Sequence, residues 1–355
     1  MHATTVAVDL AKDIFELAFA DADHRIVQRK RLSRRAFGRV LENHTPVRVV
    51  MEACSSAHYW ARRFVRLGHT VRLLPARDVR PYVRRNKTDR TDAAGLLEAD
   101  RCTQIDAVPI KSPEQQSVQA LHRIREQLKA QRTATINLVR GVLREFGIVI
   151  GLGAAKVRPA VLAALEDGSN ELPMPLRHTL AEMLEHLANL THSMSGIESR
   201  LKVIAQDDPV TQRYQQVPGV GVLTATALHA SAGSLDRFHS GRHFSAWLGL
   251  TPREHSSGSQ RRLGRISRRG DGYLRLLLIH GARAALRAAQ VRAHRQQPLT
   301  HLQTWALTTQ QRIGHNKAAV ALANKTARRL WAMQHHHTAF NPNHVSVRGN
   351  LQSST

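Results

Sequence analysis

The first 75 residues alternate apolar runs with amphipathic stretches in an order that few folds accommodate. Five runs rich in β-branched and aliphatic residues predict strands at 4–9, 15–20, 25–32, 47–52 and 70–75. Two amphipathic stretches predict helices at 33–44 and 55–67, the first begun by Ser33 and the second by Ser55 or Ser56. Three consecutive strands favour an antiparallel meander, and later strands add in parallel through helical crossovers. The order predicts an α/β domain of the RNase H-like fold.

Four carboxylates occupy positions that this fold would bring together. Asp9 ends the first predicted strand, Glu52 ends the fourth, and Asp89 and Asp92 lie three residues apart on a predicted helix. Residues i and i+3 share one side of a helix. Carboxylates bind Mg²⁺ and also suit Mn²⁺, and two such ions about 3.5–4 Å apart commonly cut phosphodiesters. The four acids therefore predict a site for Mg²⁺ or Mn²⁺.

The charge balance of the chain points to a polyanionic partner. Lys and Arg number 52 against 27 Asp and Glu, a formal net charge of +25, while 42% apolar residues support folded cores. Nucleic acid is the expected partner because a DNA duplex carries a phosphate charge about every 1.7 Å. The 355 residues suffice for two or three domains.

Several features predict a cytosolic location. No run of 18 uninterrupted apolar residues is present, so no membrane span is expected. Charged residues at Asp9, Lys12 and Asp13 interrupt the N-terminus too early for a secretory signal. Cys54 and Cys102 lack the spacing of a zinc site and fit a reducing compartment.

Long helices follow the first domain, which is predicted to span 1–111. Residues 114–147 are almost free of Gly and Pro, and a second helix begins near Pro175. The second helix carries an apolar seam with four-three spacing, which is typical of a coiled coil. The seam consists of Leu176, Leu180, Met183, Leu187, Leu190, Met194, Ile197, Leu201 and Ile204. We expect a helical segment over 112–210, with the seam paired to 114–147 either within the chain or across a homo-oligomer, a dimer or tetramer.

Two motifs in the following segment, 211–335, predict contacts with nucleic acid. Pro218-Gly219-Val220-Gly221 resembles the turn of a helix-hairpin-helix element, in which free backbone N–H groups at a helix start hold a phosphate. A loop or short ribbon at 260–272 contains five arginines, which can bind phosphates in bidentate fashion. They are Arg261, Arg262, Arg265, Arg268 and Arg269. Residues 336–355 are expected to form a flexible tail.

The motifs taken together resemble the DEDD transposases of insertion-sequence family 110. The match rests on Val8-Asp9-Leu10, Met51-Glu52-Ala53, Lys87-Thr88-Asp89-Arg90-Thr91-Asp92, the glycine turn and Gly249-Leu250-Thr251-Pro252 with Ser257-Gly258. The arginine loop and Gly314-His315-Asn316-Lys317 are most similar to subgroup 1111. The motifs occur in family order over nearly the whole chain.

The resemblance implies a specific activity and set of partners. Such proteins have an N-terminal RuvC-like domain, a coiled coil and a mainly helical transposase domain, and they excise and insert an element of double-stranded DNA. A structured non-coding RNA from the flank of the element guides family members. The family's nucleophilic serine, which works beside the four acids, matches Ser257, with the adjacent Ser256 as the alternative. A nucleoid-associated protein of the bacterial cytosol is implied.

Two other functions are compatible with parts of this pattern. A hydrolytic RuvC-like nuclease, such as a junction resolvase, would use the four acids and no serine. In a non-catalytic nucleic-acid-binding protein, the acids would be solvated at the surface or paired with arginines. The hydrolase would leave no DNA covalently attached to protein. For the binding protein, Asp9→Asn would leave its behaviour unchanged.

Overall fold

The structure, a computed structural model, describes residues 3–83 and 89–344, and of Asp89 and Arg90 it describes the backbone alone. The chain divides into two compact units, 1–114 and 115–355. The Lys87-Thr88 part of the acidic motif lies outside the described residues. No helix in the described ranges is long and apolar enough to cross a membrane.

The first unit is built on a five-stranded mixed sheet of order β3-β2-β1-β4-β5. Its strands are β1 Thr5–Asp9, β2 Ile14–Ala20, β3 Ile26–Ser33, β4 Arg48–Glu52 and β5 Thr70–Leu74. The first three pair antiparallel, and β4 and β5 add in parallel beside β1. Both the predicted meander and the parallel additions are confirmed. This sheet is compatible with an RNase H-like domain.

Helices cover the two faces of the sheet. They are α1 Arg34–Phe37, α2 Ala57–Arg66, α3 Ala76–Val79 and α4 Asp89–Arg101. One face buries Val6, Val8 and Phe15 with Trp60 and Phe64 of α2. The other face carries small side chains, among which Ala7, Ala18 and Val50 pack with Ala93 and Leu96 of α4. Small residues let α4 lie close to the sheet, next to the strand ends that carry the predicted acids.

The helix predicted at 33–44 is wrong beyond Phe37. Residues after Gly38 continue as successive tight turns, in which Phe37 and Leu41 still reach the core. The Gly38 carbonyl accepts hydrogen bonds from Arg63 Nε at 3.0 Å and Nη2 at 2.7 Å instead of from a helical N–H. Glycine is also a poor helix former. A contact from α2 thus ends the helix that the local pattern favours.

The second unit is mostly helical, with one short hairpin. Its helices are α5 Pro113–Glu145, α6 Val157–Glu166, α7 Met174–Asp207, α8 Pro209–Gln215, α9 Val222–Ala232, α10 Gly241–Trp247, α11 Gly272–His294, α12 His301–Ile313 and α13 His315–His335. The hairpin pairs β6 Pro252–Glu254 with β7 Leu263–Ile266 in antiparallel fashion. A core formed by α8 to α13 buries Tyr214, Phe244 and Leu330.

The two long helices α5 and α7 pack against each other within the chain. Val139 and Leu143 of α5 share a core with Leu180 and Leu184 of α7. Farther along, Arg125 Nη2 contacts Glu198 Oε1 at 2.7 Å, so the helices run antiparallel. The predicted seam is turned inward: Leu180, Leu190, Met194, Ile197 and Leu201 are buried, and the other four members are half-buried. An assembly of several chains would therefore use other surfaces.

The described part of the predicted tail contacts the helical core. The N–H of Phe340 donates to Gln216 Oε1 at 3.1 Å, and the N–H of Leu302 donates to the Pro342 carbonyl at 3.3 Å. Residues 345–355 lie outside the described residues, and flexibility there stays a prediction.

Candidate active site

Asp9 and Glu52 lie at neighbouring carboxyl ends of two parallel strands. Val8 of β1 is in register with Met51 of β4, and each acid is the next residue along its strand. Side chains two residues apart share a face of a sheet. Asp9 and Glu52 therefore lie on the α4 side, the face that buries Ala7 and Val50.

The direction of α4 places its acidic first turn at the same edge. Near the end of the helix, Asp100 contacts Arg48, at the beginning of β4, and Arg72 of β5. The helix therefore runs opposite to the parallel strands, and its first turn lies by their carboxyl ends. Asp92 shares the sheet-facing side with the buried Leu96, since residues i and i+4 are neighbours on a helix. The backbone thus brings Asp92 to the edge where Asp9 and Glu52 lie.

A fifth acid, Glu16, occupies this face and was missed by the sequence reasoning. Glu16 of β2 is the direct antiparallel partner of Asp9 and is only 8% exposed. Along β2, Phe15 and Leu17 enter one core while Ala18 enters the other, so Glu16 lies on the α4 side. The sequence feature that could have revealed Glu16 is an acidic residue inside an otherwise apolar strand.

Three carboxylates of this edge, those of Glu16, Glu52 and Asp92, are poorly matched with cations, although the chain is rich in cations. Among the described residues, neither Glu16 nor Glu52 has a side-chain hydrogen bond or ion pair, and Asp92 Oδ1 is buried without a hydrogen-bond partner. Buried oxygen atoms normally accept a hydrogen bond. Carboxylate oxygens without one are suitable ligands for a hard divalent cation. The residues thus fit a divalent ion. The described residues contain no group of three or more His, Cys, Asp or Glu that could hold a metal ion. The Asp89 side chain is not among the described residues and so does not enter that search.

Ser257 lies near the tip of the hairpin formed by β6 and β7. Its N–H donates to the Gln260 carbonyl at 3.3 Å, and the Gln260 N–H donates back at 3.2 Å. The two residues between them form the turn, with Gly258 at φ +58°, a conformation that favours glycine. Ser257 is exposed, and its hydroxyl has no hydrogen-bond partner among the described residues.

The neighbouring Ser256 is engaged in holding the hairpin together. Its hydroxyl donates to Glu254 Oε1 at 2.8 Å and accepts from the Arg262 N–H at 3.1 Å. The hydrogen bond from Ser256, with a smaller contribution from Arg261, holds the pKa of the Glu254 carboxyl below its usual value. Of the two candidate serines, only Ser257 presents a hydroxyl that no hydrogen bond of the hairpin occupies.

Two of the five predicted arginines line one groove, and a third is paired with an acid of the hairpin. Arg265 and Arg268 line a large groove in the second unit, whereas Arg261 Nε contacts Glu254 Oε1 at 3.3 Å on the hairpin. Arg262 uses its backbone in the hairpin ladder, and the Arg269 carbonyl accepts from Arg275. Within the predicted segment 260–272, Leu263–Ile266 forms one strand of a short ribbon, and residues 267–271 form a loop that leads to α11.

The glycine turn joins α8 to α9 and is packed against another helix. A Cβ on Gly219 would lie 2.3 Å from the Gly281 carbonyl oxygen of α11. Close backbone packing is therefore a sufficient reason for glycine there. Gly221 immediately precedes α9, and phosphate binding by the two glycines stays a prediction.

Comparison with known proteins identifies the chain. The profile described as a transposase, of the DEDD type of IS110, matches residues 6–148, and that of the "Transposase IS116/IS110/IS902 family" matches 211–297. A probable family 20 transposase of Pseudomonas aeruginosa is 41% identical over 96% of this chain and all of its own length. The transposase for insertion sequence element IS1111A of Coxiella burnetii is 38% identical over 92% of this chain and 88% of its own. The transposase for element IS1328 of Yersinia enterocolitica is 34% identical over 96% and 99%.

These findings define the chain first as a transposase, a DNA-modifying enzyme that must bind DNA. DEDD transposases typically use a divalent metal, and the carboxylate edge offers residues that could hold one. The protein belongs to the IS110 family of insertion-sequence transposases, and the resemblance seen in the sequence is confirmed.

Proposed function

We propose that the protein cuts and rejoins DNA strands through a covalent serine–DNA intermediate formed on Ser257. In this proposal the first unit is a RuvC-like domain with an RNase H-like fold, and Asp9, Glu52, Asp89 and Asp92 hold Mg²⁺ or Mn²⁺. The helices of 112–210 form the coiled-coil segment, and 211–335 forms the transposase domain. The observation that carries the proposal is the contrast between an engaged Ser256 and an unengaged Ser257 on one exposed hairpin.

The chemistry follows from the two residue sets. A bound divalent ion would supply Lewis-acid stabilisation of the charge that develops on the phosphate. The Ser257 hydroxyl loses its proton to a base as its oxygen forms a bond to phosphorus. The bond from phosphorus to one sugar oxygen breaks, and that oxygen leaves as a hydroxyl. Attack by a second DNA hydroxyl on the phosphoserine reverses these steps and releases the serine. The phosphodiester energy is conserved, as rejoining requires and hydrolysis does not.

The two adjacent serines supply a matched test of the nucleophile. Ser257→Ala should abolish the protein–DNA adduct on denaturing gels and abolish recombination, while DNA binding persists. Ser256→Ala should keep the adduct, because it removes hairpin hydrogen bonds only. An adduct mapped to Ser256, or wild-type cleavage by Ser257→Ala, would contradict the proposal. Cleavage without any adduct in the wild type would favour the hydrolytic junction-resolvase reading.

The metal site is tested separately, by binding and by cleavage. Asp9→Asn, Glu52→Gln, Asp89→Asn and Asp92→Asn should each weaken Mn²⁺ binding in calorimetry and abolish strand cleavage. Glu98→Gln on the exposed side of α4 removes the same charge and should change neither. Full Mn²⁺ affinity in all four variants would refute the assignment, whatever the activity, and would favour a protein that only binds nucleic acid.

We further propose that an element-encoded non-coding RNA guides the protein, as the family resemblance implies. The charge of +25 supports binding of a polyanion, and RNA is one such partner beside DNA. RNA from the element's flank should co-purify with the protein and be required for recombination. Recombination by RNase-treated protein at the untreated rate would exclude a guide. The mass of the free and RNA-bound protein in light scattering would show whether it forms a homo-oligomer.

A further inference from the structure

A large groove in the second unit lies beside the hairpin that carries Ser257. Its volume is about 2050 Å³, and its walls come from the base of the hairpin, the start of α10, and helices α12 and α13. Pockets for small ligands are typically about 300–1,000 Å³. The groove is therefore sized for an extended ligand.

The charge of the groove has one sign. Helix α13 contributes Lys317, Lys325, Arg328 and Arg329 to the lining. Arg242, Arg265 and Arg268 contribute three more guanidinium groups. Its lining, drawn from the described residues, includes no Asp or Glu. Cations brought together without carboxylates repel one another, and a bound polyanion relieves that repulsion.

Two cations of α13 are partly buried. The Lys325 ammonium lies 4.1 Å from the centre of the Trp305 ring, a cation–π contact. Burial lowers the pKa of Lys325, and the positive charges of the nearby Arg329 and Arg328 lower it further. Arg329 Nη1 is buried and has no hydrogen-bond acceptor among the described residues. The Arg329 guanidinium carbon lies 5.4 Å from the centre of the Phe340 ring, a second cation–π contact.

The groove lining also includes neutral side chains and two aromatic rings. Val320, Ala321 and Asn324 of α13 belong to the lining, as do Trp305, which carries the Lys325 ammonium over its ring, and Trp331, whose ring is stacked on that of His335. Cations that follow a backbone and aromatic side chains that meet bases are the two elements of single-strand binding. A duplex stacks its own bases and cannot offer their faces to a protein ring. The lining therefore favours an unpaired strand.

We propose that this groove binds a single strand of nucleic acid and leads it toward the Ser257 hairpin. Arg265 of β7 and Arg268, two residues after β7, line the groove, and β7 belongs to the hairpin that carries Ser257 near its tip. The strand's role as substrate or guide rests on the proposed function, whereas its binding does not. Lys317, Lys325 and Arg328 are assigned to the phosphates.

Binding by full-length protein in the Ser257→Ala background tests the groove without strand transfer. Fluorescence anisotropy would use labelled single strands of about 16 nucleotides, the upper length that one single-strand module covers. The groove variant combines Lys317→Gln, Lys325→Gln and Arg328→Gln. Its affinity should fall about tenfold to a hundredfold, and the slope of log K against log salt should fall by about 2, or about 0.7 per lost phosphate contact.

A control variant removes the same charge elsewhere in the unit. Arg200→Gln, Lys202→Gln and Arg287→Gln replace exposed cations outside the groove and should change affinity less than threefold, on the order expected for distant charges. Ala321→Gln adds bulk to the neutral part of the lining and keeps every cation, and it should also weaken binding. Thermal unfolding of each variant would show that the fold persists.

The outcomes separate the alternatives. Equal losses in the groove and control variants would overturn the proposal, because bulk charge alone would explain them. A duplex that loses more affinity than a single strand would also overturn it. DNA and RNA strands of one sequence, compared side by side, show which source of strand the groove prefers. DNA cleavage without an adduct by protein that keeps Ser257, with groove binding intact, would refute the serine mechanism and leave the groove standing.

Discussion

The sharpest structural prediction separates two acids on one helix. Asp100 and Asp92 are both on α4, but Asp100 has a buried ion pair and Asp92 does not. Asp100 Oδ1 contacts Arg72 Nη1 at 2.7 Å and Oδ2 contacts Arg48 Nη1 at 3.4 Å. The Asp100 side chain is fully buried, while those of Arg72 and Arg48 are 21% and 50% exposed. Asp100 is therefore a structural acid.

Asp100→Asn removes the charge and keeps the shape. Breaking a buried pair costs about 3–5 kcal/mol, and the exposed Arg48 contributes no more than about 1 kcal/mol. Arg72 keeps its bonds to the carbonyls of Asp100 and Ile105, at 2.7 and 2.6 Å. The free energy of unfolding should therefore fall by about 3 kcal/mol, which lowers the thermal unfolding midpoint of the first unit by roughly 10–20 °C.

Scanning calorimetry of the full chain measures this loss. Glu98→Gln, which removes an exposed partner of Arg101 at 3.6 Å, should cost less than about 0.5 kcal/mol. Asp92→Asn should change stability by less than about 1 kcal/mol and lose the upward shift that Mn²⁺ produces. An Asp100→Asn midpoint within about 2 °C of wild type, or an Asp92→Asn variant that is equally unstable, would refute the reasoning.

Other predictions concern packing and pH. Gly281→Ala would place a Cβ 1.8 Å from the Gly219 carbonyl oxygen and should destabilise by about 3 kcal/mol or more. Gly141→Ala has open space and should stabilise by up to about 1 kcal/mol; denaturant titration compares the two. Burial, and to a smaller extent the positive charge of Arg125, lowers the pKa of His122 to about 4. The unfolded chain, whose His pKa is about 6.5, therefore binds more protons between these values, and stability falls as pH drops from about 6.5 to 4, by at most about 3 kcal/mol. His122→Gln should flatten this dependence of stability on pH. An unchanged dependence would show that protonation of His122 does not cause it.

Much of the first unit was predictable from the sequence because its signals are local. Strand runs, their order and the known handedness of crossovers fix which carboxyl ends are neighbours. Asp9 and Glu52 could be placed together on that basis alone. The helix over 33–44 could not be excluded, since Arg63, which takes the Gly38 carbonyl, comes from α2.

The sequence by itself determined the family, the order of the strands and the positions of Asp9, Glu52, Asp92 and Ser257 on their elements. It could not distinguish residues of one type that differ only in their surroundings. Glu16 and Asp100 are both buried acids, yet only Asp100 is paired with arginines, and those arginines lie 28 and 52 residues away. Ser256 and Ser257 are neighbours, yet one is engaged by Glu254 and the other is not. Such differences depend on partners distant in sequence or across a hairpin, so only the tertiary structure decided them.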